Sequence, residues 1–200
     1  MHPPLFYAVV YKPYQVLCQF SSEPGQPCLR DFFTVPRDAY PVGRLDADSE
    51  GLLLITNDGS LNSRLLHPSR GHTREYWVQV EGLVSEEALR QLQSGIGISV
   101  KGKKINTMPC TAALLEEPVP LPPRNPPIRF RQSIPTRWIR LALTEGKNRQ
   151  VRKMTAAVGL PTLRLVRYRI AGCSLGNMQP GDMQVLSRAE CFRLFLPENT

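Results

Sequence analysis

The chain has no Cys-x-x-Cys pair, and its five cysteines, at 18, 28, 110, 173 and 191, are odd in number and scattered. That excludes a zinc ribbon and supplies no disulfide framework, so a reducing, cytoplasmic setting is expected. Nowhere do about eighteen apolar residues run together, and the opening MHPPLFYAVVYKPY has neither a basic leader nor a small-residue cleavage site. Membrane spanning and secretion are therefore not expected. No internal repeat and no acidic or low-complexity tail is present. Acidic charge is the scarcer sign: 17 Asp and Glu face 25 Lys and Arg, a net charge of +8 that favours a polyanionic partner over an acidic metabolite.

What is present suits a folded protein. Two hundred residues with 42% hydrophobic content are enough for one sizeable core, or for two lobes sharing a sheet. The positive charge is unevenly spread. Between Arg124 and Arg169 stand twelve Lys or Arg and one acid, Glu145, a local +11 that leaves −3 for the remainder. Nineteen prolines include a knot at Pro118, Pro120, Pro122, Pro123, Pro126 and Pro127, which reads as a stiff ordered linker or surface loop.

Strand-like runs lie at Phe6 to Tyr11, Val16 to Phe20, Leu52 to Thr56, Tyr76 to Glu81, Trp138 to Leu143 and Leu163 to Ile170. Helices are fewer. Ser85 caps one, with Glu86 and Glu87 in its first turn and Gly95 after it; another starts at Asp58 and carries Leu61 and Leu65 before Pro68; a third follows Pro27 through Phe32. Strands interleaved with a few helices, without a regular βαβ repeat, predict an α+β domain on a mixed, mostly antiparallel sheet.

Two segments carry the chemistry. In GRLDADSEGLLLITNDG, Gly43 to Gly59, acidic side chains stand at the mouth of an apolar strand, where burial and the neighbouring Arg44 tune a carboxylate. An ordinary acidic turn is the plainer reading of these residues alone. A calcium loop is a third: Asp46, Asp48, Glu50 and Gly51 take positions 1, 3, 5 and 6, but position 12 is Asn57 and the flanks are not helical. The second segment, TEGKNRQVRKMTAAVG, predicts a helix from Arg149, with Asn148 as N-cap and Gly159 as its stop. Val151, Met154, Thr155 and Val158 share one face; Arg149, Arg152, Lys153 and Ala156 share the other. Cations in a helix's first turns oppose its dipole, so a phosphate or a carboxylate is the expected partner, with a solvated basic face as the alternative.

These segments occur in order with VVYKPYQVLCQF, REYWVQVEG and PRNPPIRFRQSIPTRW, and over roughly Leu5 to Met183 the chain resembles pseudouridine synthases of the RsuA type. The proline–arginine block narrows the likeness to members acting on large-subunit ribosomal RNA. The resemblance implies the pseudouridine synthase catalytic fold: α+β, with flanking helices and a central cleft, as a single catalytic domain over residues 1–200. It also implies no S4-like RNA-binding domain, and residues 183–200 stay unassigned. It implies isomerisation of one uridine of 23S-type ribosomal RNA to pseudouridine, with base flipping and without cofactor or metal.

Residue by residue, the essential aspartate matches Asp46, the aromatic against the base matches Tyr76, and the arginine paired with the aspartate matches Arg152, with Arg149 as the other candidate. Arg44 matches the side chain that enters the stack where the nucleotide leaves, and Val166 and Arg167 match a motif lining the uracil pocket. Lys147, Arg149 and Lys153 are the expected RNA contacts, and Lys12-Pro13 matches an early structural motif. Tyr11 departs from the family's usual asparagine. A monomer is the default expectation. A non-catalytic ribosomal-RNA-binding or assembly factor on the same fold is the competing reading, and intact Asp46 and Arg152 argue against it.

Overall fold

Two stretches of the sequence are apolar on both faces, and in the computed structural model both become strands with every residue buried. The structure describes residues 4–67, 71–129 and 131–196. In chain order its elements are β1 (Tyr7–Lys12), a 3₁₀ turn (Leu29–Asp31), β2 (Tyr40–Pro41), β3 (Glu50–Thr56), α1 (Gly59–Leu66), β4 (Arg74–Glu81), α2 (Glu86–Ser94), β5 (Gly97–Val100), β6 (Lys103–Asn106), β7 (Thr111–Leu114), β8 (Thr136–Leu143), α3 (Gln150–Ala157), β9 (Thr162–Ile170), β10 (Cys173–Ser174), β11 (Met183–Val185) and α4 (Arg188–Phe195). They form two compact units, Met1–His72 with Arg167–Thr200, and Thr73–Val166; the chain returns to the first within β9. None of the described helices is long and apolar enough to cross a membrane.

In the first unit β1 lies between β11 and β3, and β2 adds to β3, all antiparallel. Val10, Leu53 and Ile55 pack with Val16, Leu29 and Phe33 into its core. α1 starts where Asp58 accepts from the amides of Ser60 and Leu61, the cap that an acidic residue ahead of a helix supplies. The same carboxylate accepts from the Tyr7 hydroxyl at 2.8 Å. Burial and that acidic partner push the Tyr7 phenol up to about 12. The short strands β2, β5, β6, β7, β10 and β11 are not among the expected elements, and nor is the helix α4: Ser187 and Glu190 form its capping box, a signal present in the unassigned tail as S-x-x-E. Its Phe192 meets Tyr7 edge to face at 6.3 Å, with the Arg188 guanidinium 4.7 Å from its ring centre.

In the second unit β8 pairs antiparallel with β4 and β7, and β5 with β6 form a separate hairpin. Ser85 caps α2 by accepting from the Ala88 amide, and Gly95 ends it at φ +88°, as expected. The core joins Val78, Val80, Ile139 and Leu141 to Leu92, Ile98, Val151 and Met154.

Two expectations change, and a third gains a cause. Val16 to Phe20 is not a strand; Leu17 makes one isolated parallel bridge to Cys28, and Val16 goes into the core instead. The helix after Pro27 is a single 3₁₀ turn closed by Asp31, which accepts from the Cys28 amide at 2.7 Å. The proline segment is ordered by arginines as well as by ring stiffness. Arg124 donates to the carbonyls of Pro126, Pro127 and Leu163, and Arg164 to that of Pro122. Pro68, the expected stop of α1, lies outside the described residues.

Candidate active site

Asp46 lies in the turn between β2 and β3, half-buried, with Arg44 exposed just before it. The chain reaches this turn through Gly43, whose φ of +71° is a left-handed conformation that favours glycine. The Ser49 amide donates to the Asp46 carbonyl at 3.0 Å, closing the turn, and the Gln15 amide donates to the Ala47 carbonyl at 2.7 Å.

Lys12 holds this turn from beneath. Its side chain, fully buried at the end of β1, donates from Nζ to Val16 O at 2.6 Å, Pro13 O at 2.9 Å and Ala47 O at 3.3 Å. An ammonium has three protons, and three carbonyls take them, which is how a buried cation avoids an unmet donor. Burial pushes its pKa down to about 8, so it remains protonated at neutral pH. Read from the sequence as part of a structural motif, Lys12 thus bonds directly to the residue after Asp46.

Arg167 braces the far side. It is 4% exposed, and its Nε donates to Leu52 O at 2.8 Å and its Nη1 to Arg44 O at 3.5 Å. Its Nη2 is buried without a hydrogen-bond partner among the described residues. β3 approaches so closely here that a Cβ on Gly51 would stand 2.7 Å from the Arg167 amide nitrogen, and Gly51 sits at φ +113°. The glycine of the EGLLL run is therefore a close-packing position as well as a turn residue.

Tyr76, Arg152, Lys147, Arg149, Lys153 and Val166 belong to the second unit, and Asp46, Arg44 and Arg167 to the first. Tyr76 is half-buried on β4, opposite Leu141, against the core that holds Val78 and Val80. α3 begins one residue later than expected. Its N-cap is Arg149, in the left-handed conformation at φ +52°, not Asn148. The reason is Gln150. This amide, 4% exposed, donates to Glu145 Oε1 at 2.7 Å and accepts from the Lys147 amide at 2.9 Å, folding residues 145–150 into a tight turn that throws Arg149 outward. Glu145 Oε1 also accepts from the Met108 amide at 2.8 Å. Val151, Met154 and Thr155 face the core as predicted, Arg149 and Ala156 are exposed, and Arg152 and Lys153 are half-buried. Val166 is fully buried on β9.

The basic segment is less outward-facing than its count suggests. Arg129 and Arg131 both pair with the buried Glu81, at 3.3 and 3.1 Å. Arg124, Arg164 and Arg167 are bound to carbonyls, and Arg164 also lies 5.9 Å from the Trp138 ring centre. Lys147 and Arg149 remain exposed at the start of α3. No thiolate competes with a carboxylate among Cys110, Cys173 and Cys191: burial pushes the first two up to about 11 and the third to about 12.

Comparison with known proteins bears on the whole chain. A family model described as RNA pseudouridylate synthase matches residues 6–157. The ribosomal large subunit pseudouridine synthase E of Vibrio vulnificus (strain CMCP6) is 46% identical over 176 residues, covering 88% of this chain and 73% of that protein. Its namesake in Xanthomonas campestris pv. campestris is 48% identical over 176 residues, covering 87% and 91%. Among solved structures, one titled crystal structure of pseudouridylate synthase superposes with a TM-score of 0.76 at 25% identity, over 96% of this chain and 74% of that one. By the extent of these matches, this chain belongs to the RNA pseudouridylate synthase family.

Proposed function

We propose that this chain isomerises one uridine of large-subunit ribosomal RNA to pseudouridine, with Asp46 as its essential carboxylate. Supporting this are the relatives of 46% and 48% identity named for that activity. The observation that carries it is the construction of the Asp46 turn, in which a buried ammonium and a buried guanidinium are both committed to holding a short acidic loop at the end of a strand. Two desolvated cations are an expensive way to brace an ordinary turn and a reasonable way to preorganise a reacting group.

The reaction breaks the bond from N1 to C1′, turns the uracil and joins C5 to C1′; the C5 proton is lost and N1 gains one. It is redox-neutral. A carboxylate serves it as a nucleophile at the sugar or the base, or by removing a sugar proton. Arg152 pairs with that carboxylate in this reading, since a guanidinium holds a carboxylate in a two-point fork that a lysine cannot make. Tyr76 stacks on the base and assists at the C5 proton. Arg44, exposed ahead of Asp46, fills the gap left when the nucleotide swings out, because C1′ and C5 are out of reach in a stacked base. Arg167 Nη2 is a donor for a uracil carbonyl, beside the apolar wall of Val166. Lys147, Arg149 and Lys153 hold phosphates. The protein acts as a monomer in the cytoplasm.

The test is release of tritium from uridine C5 of large-subunit ribosomal RNA. Asp46→Ala is expected to abolish release, a loss of at least about 10⁴-fold, with folding intact. Release that survives the substitution removes Asp46 from the mechanism.

A further inference from the structure

The hairpin of β5 and β6 has no part in the site above, yet it carries the most concentrated uncompensated charge in the second unit. From Ala88 to Leu115 the chain holds Arg90, Lys101, Lys103 and Lys104 and no acid. Arg90 is paired with Glu86 and Glu87 on α2. The three lysines are exposed, and none takes part in an ion pair among the described residues. Three ammonium groups within four residues repel one another, a cost that an unpaired cluster keeps until a polyanion neutralises it.

The cluster is also held rigidly. Val100 pairs with Lys103 across the turn, and both turn residues, Lys101 at φ +51° and Gly102 at φ +78°, are left-handed, as a type I′ hairpin requires. Ile98, opposite Ile105, is buried in the same core as Val151 and Met154 of α3, so one apolar contact positions both the hairpin and the helix. Lys104 stands opposite Ser99 on the other face, away from that core. The basic segment around the proline loop offers less: its Arg124, Arg129, Arg131 and Arg164 are engaged within the protein.

We propose that the β5–β6 hairpin is a second RNA contact, in which Lys101, Lys103 and Lys104 bind the phosphodiester backbone of the substrate outside the target nucleotide. This rests on the ribosomal RNA reading above and extends it: the contact reads backbone shape and charge, not sequence, and adds affinity without entering the chemistry. Neutralising three phosphates releases their counterions, so the contact is salt-dependent.

The experiment uses the full chain and a tritiated large-subunit ribosomal RNA fragment. The triple variant K101A/K103A/K104A, folded by circular dichroism, is compared with wild type and with the charge-retaining K101R/K103R/K104R. The alanine variant is expected to raise KM roughly tenfold, leave kcat at saturating RNA unchanged, and lower the slope of log affinity against log salt by about 2 to 3. The arginine variant is expected to match wild type. Equal KM and equal salt slope in wild type and the alanine variant overturn the hairpin contact while leaving the isomerisation standing. A fall in kcat with the slope unchanged also overturns it, since that result places the lysines in structure and not in binding. Absence of tritium release by wild type on every large-subunit fragment overturns the ribosomal RNA reading itself, and the hairpin proposal with it.

Discussion

The turn that carries Asp46 and the turn that opens α3 are both polar segments just ahead of a buried element, and they are held in opposite ways. In the first, the cations are inside: Lys12 and Arg167 give their protons to the carbonyls of Val16, Pro13, Ala47, Leu52 and Arg44. In the second, the buried brace is neutral. Gln150 ties Glu145 to the Lys147 amide, and Lys147 and Arg149 lie on the surface, with the Lys147 ammonium 3.8 Å from Glu145 Oε2. A buried cation must spend its donors on the fold, whereas a buried amide can shape a loop and leave the loop's charges for a partner. One region therefore fixes the Asp46 turn with buried cations, and the other keeps its cations at the surface.

The comparison breaks most sharply at Gly51. Gly51→Ala puts a methyl group 2.7 Å from the Arg167 backbone nitrogen and forces a side chain into φ +113°. We expect a loss of about 3 kcal/mol or more in urea unfolding. A loss below about 1 kcal/mol would mean that the brace around the Asp46 turn yields easily.

Lys12→Met comes next. It strips three carbonyls of their donor, and a cost of about 2 kcal/mol at pH 7 is expected, with a fall in kcat from a loosened Asp46 turn. The pH dependence identifies the cause. The folded pKa of about 8 lies below the unfolded 10.5, so between these values the unfolded chain binds more protons and stability rises with pH. The ammonium's burial penalty is thus fully present below about pH 8 and is relieved as pH climbs toward 10.5. Unfolding of wild type and Lys12→Met at pH 7, 8.5 and 10 should show wild type gaining on the variant, up to on the order of 3 kcal/mol. A constant difference across that range would show that Lys12 does not titrate differently on folding.

Gln150→Ala tests the second region and has the smallest expected effect. It leaves the Lys147 amide without its acceptor, at about 1 kcal/mol of stability. Because the cations it arranges are exposed, the kinetic consequence should fall on KM for RNA and spare kcat. A kcat loss with KM unchanged would move this turn from presenting charge to the chemistry itself.

Much of this was legible in the residues. The continuous apolar runs that became β1 and β3, the caps at Asp58 and Ser85, and the apolar stripe of α3 are local patterns, and local patterns survive folding when core packing agrees with them. Where they failed, specific contacts outside the pattern overrode them. Val16 to Phe20 has strand-like composition, but it meets Cys28 through one bridge only and sends Val16 inward. Asn148 is a better cap by type than Arg149, yet Gln150 reaches back to residues 145 and 147 and moves the helix start. α4 was overlooked although its capping box was written in the tail, because a short amphipathic segment needs its docking surface to be convincing.

The sequence by itself determined the family, the carboxylate-bearing turn and the face of α3 that would be apolar, since motif spacing and periodicity are properties of neighbours along the chain. Only the tertiary structure decided which cations are spent indoors: Lys12 and Arg167 look like any other basic residue in a list, and Lys101, Lys103 and Lys104 like a minor run outside the main basic segment. A charge whose donors are taken by buried carbonyls of the fold is not available to a partner, and those acceptors arrive from residues distant in the chain, as Ala47 does for Lys12 and Leu52 for Arg167.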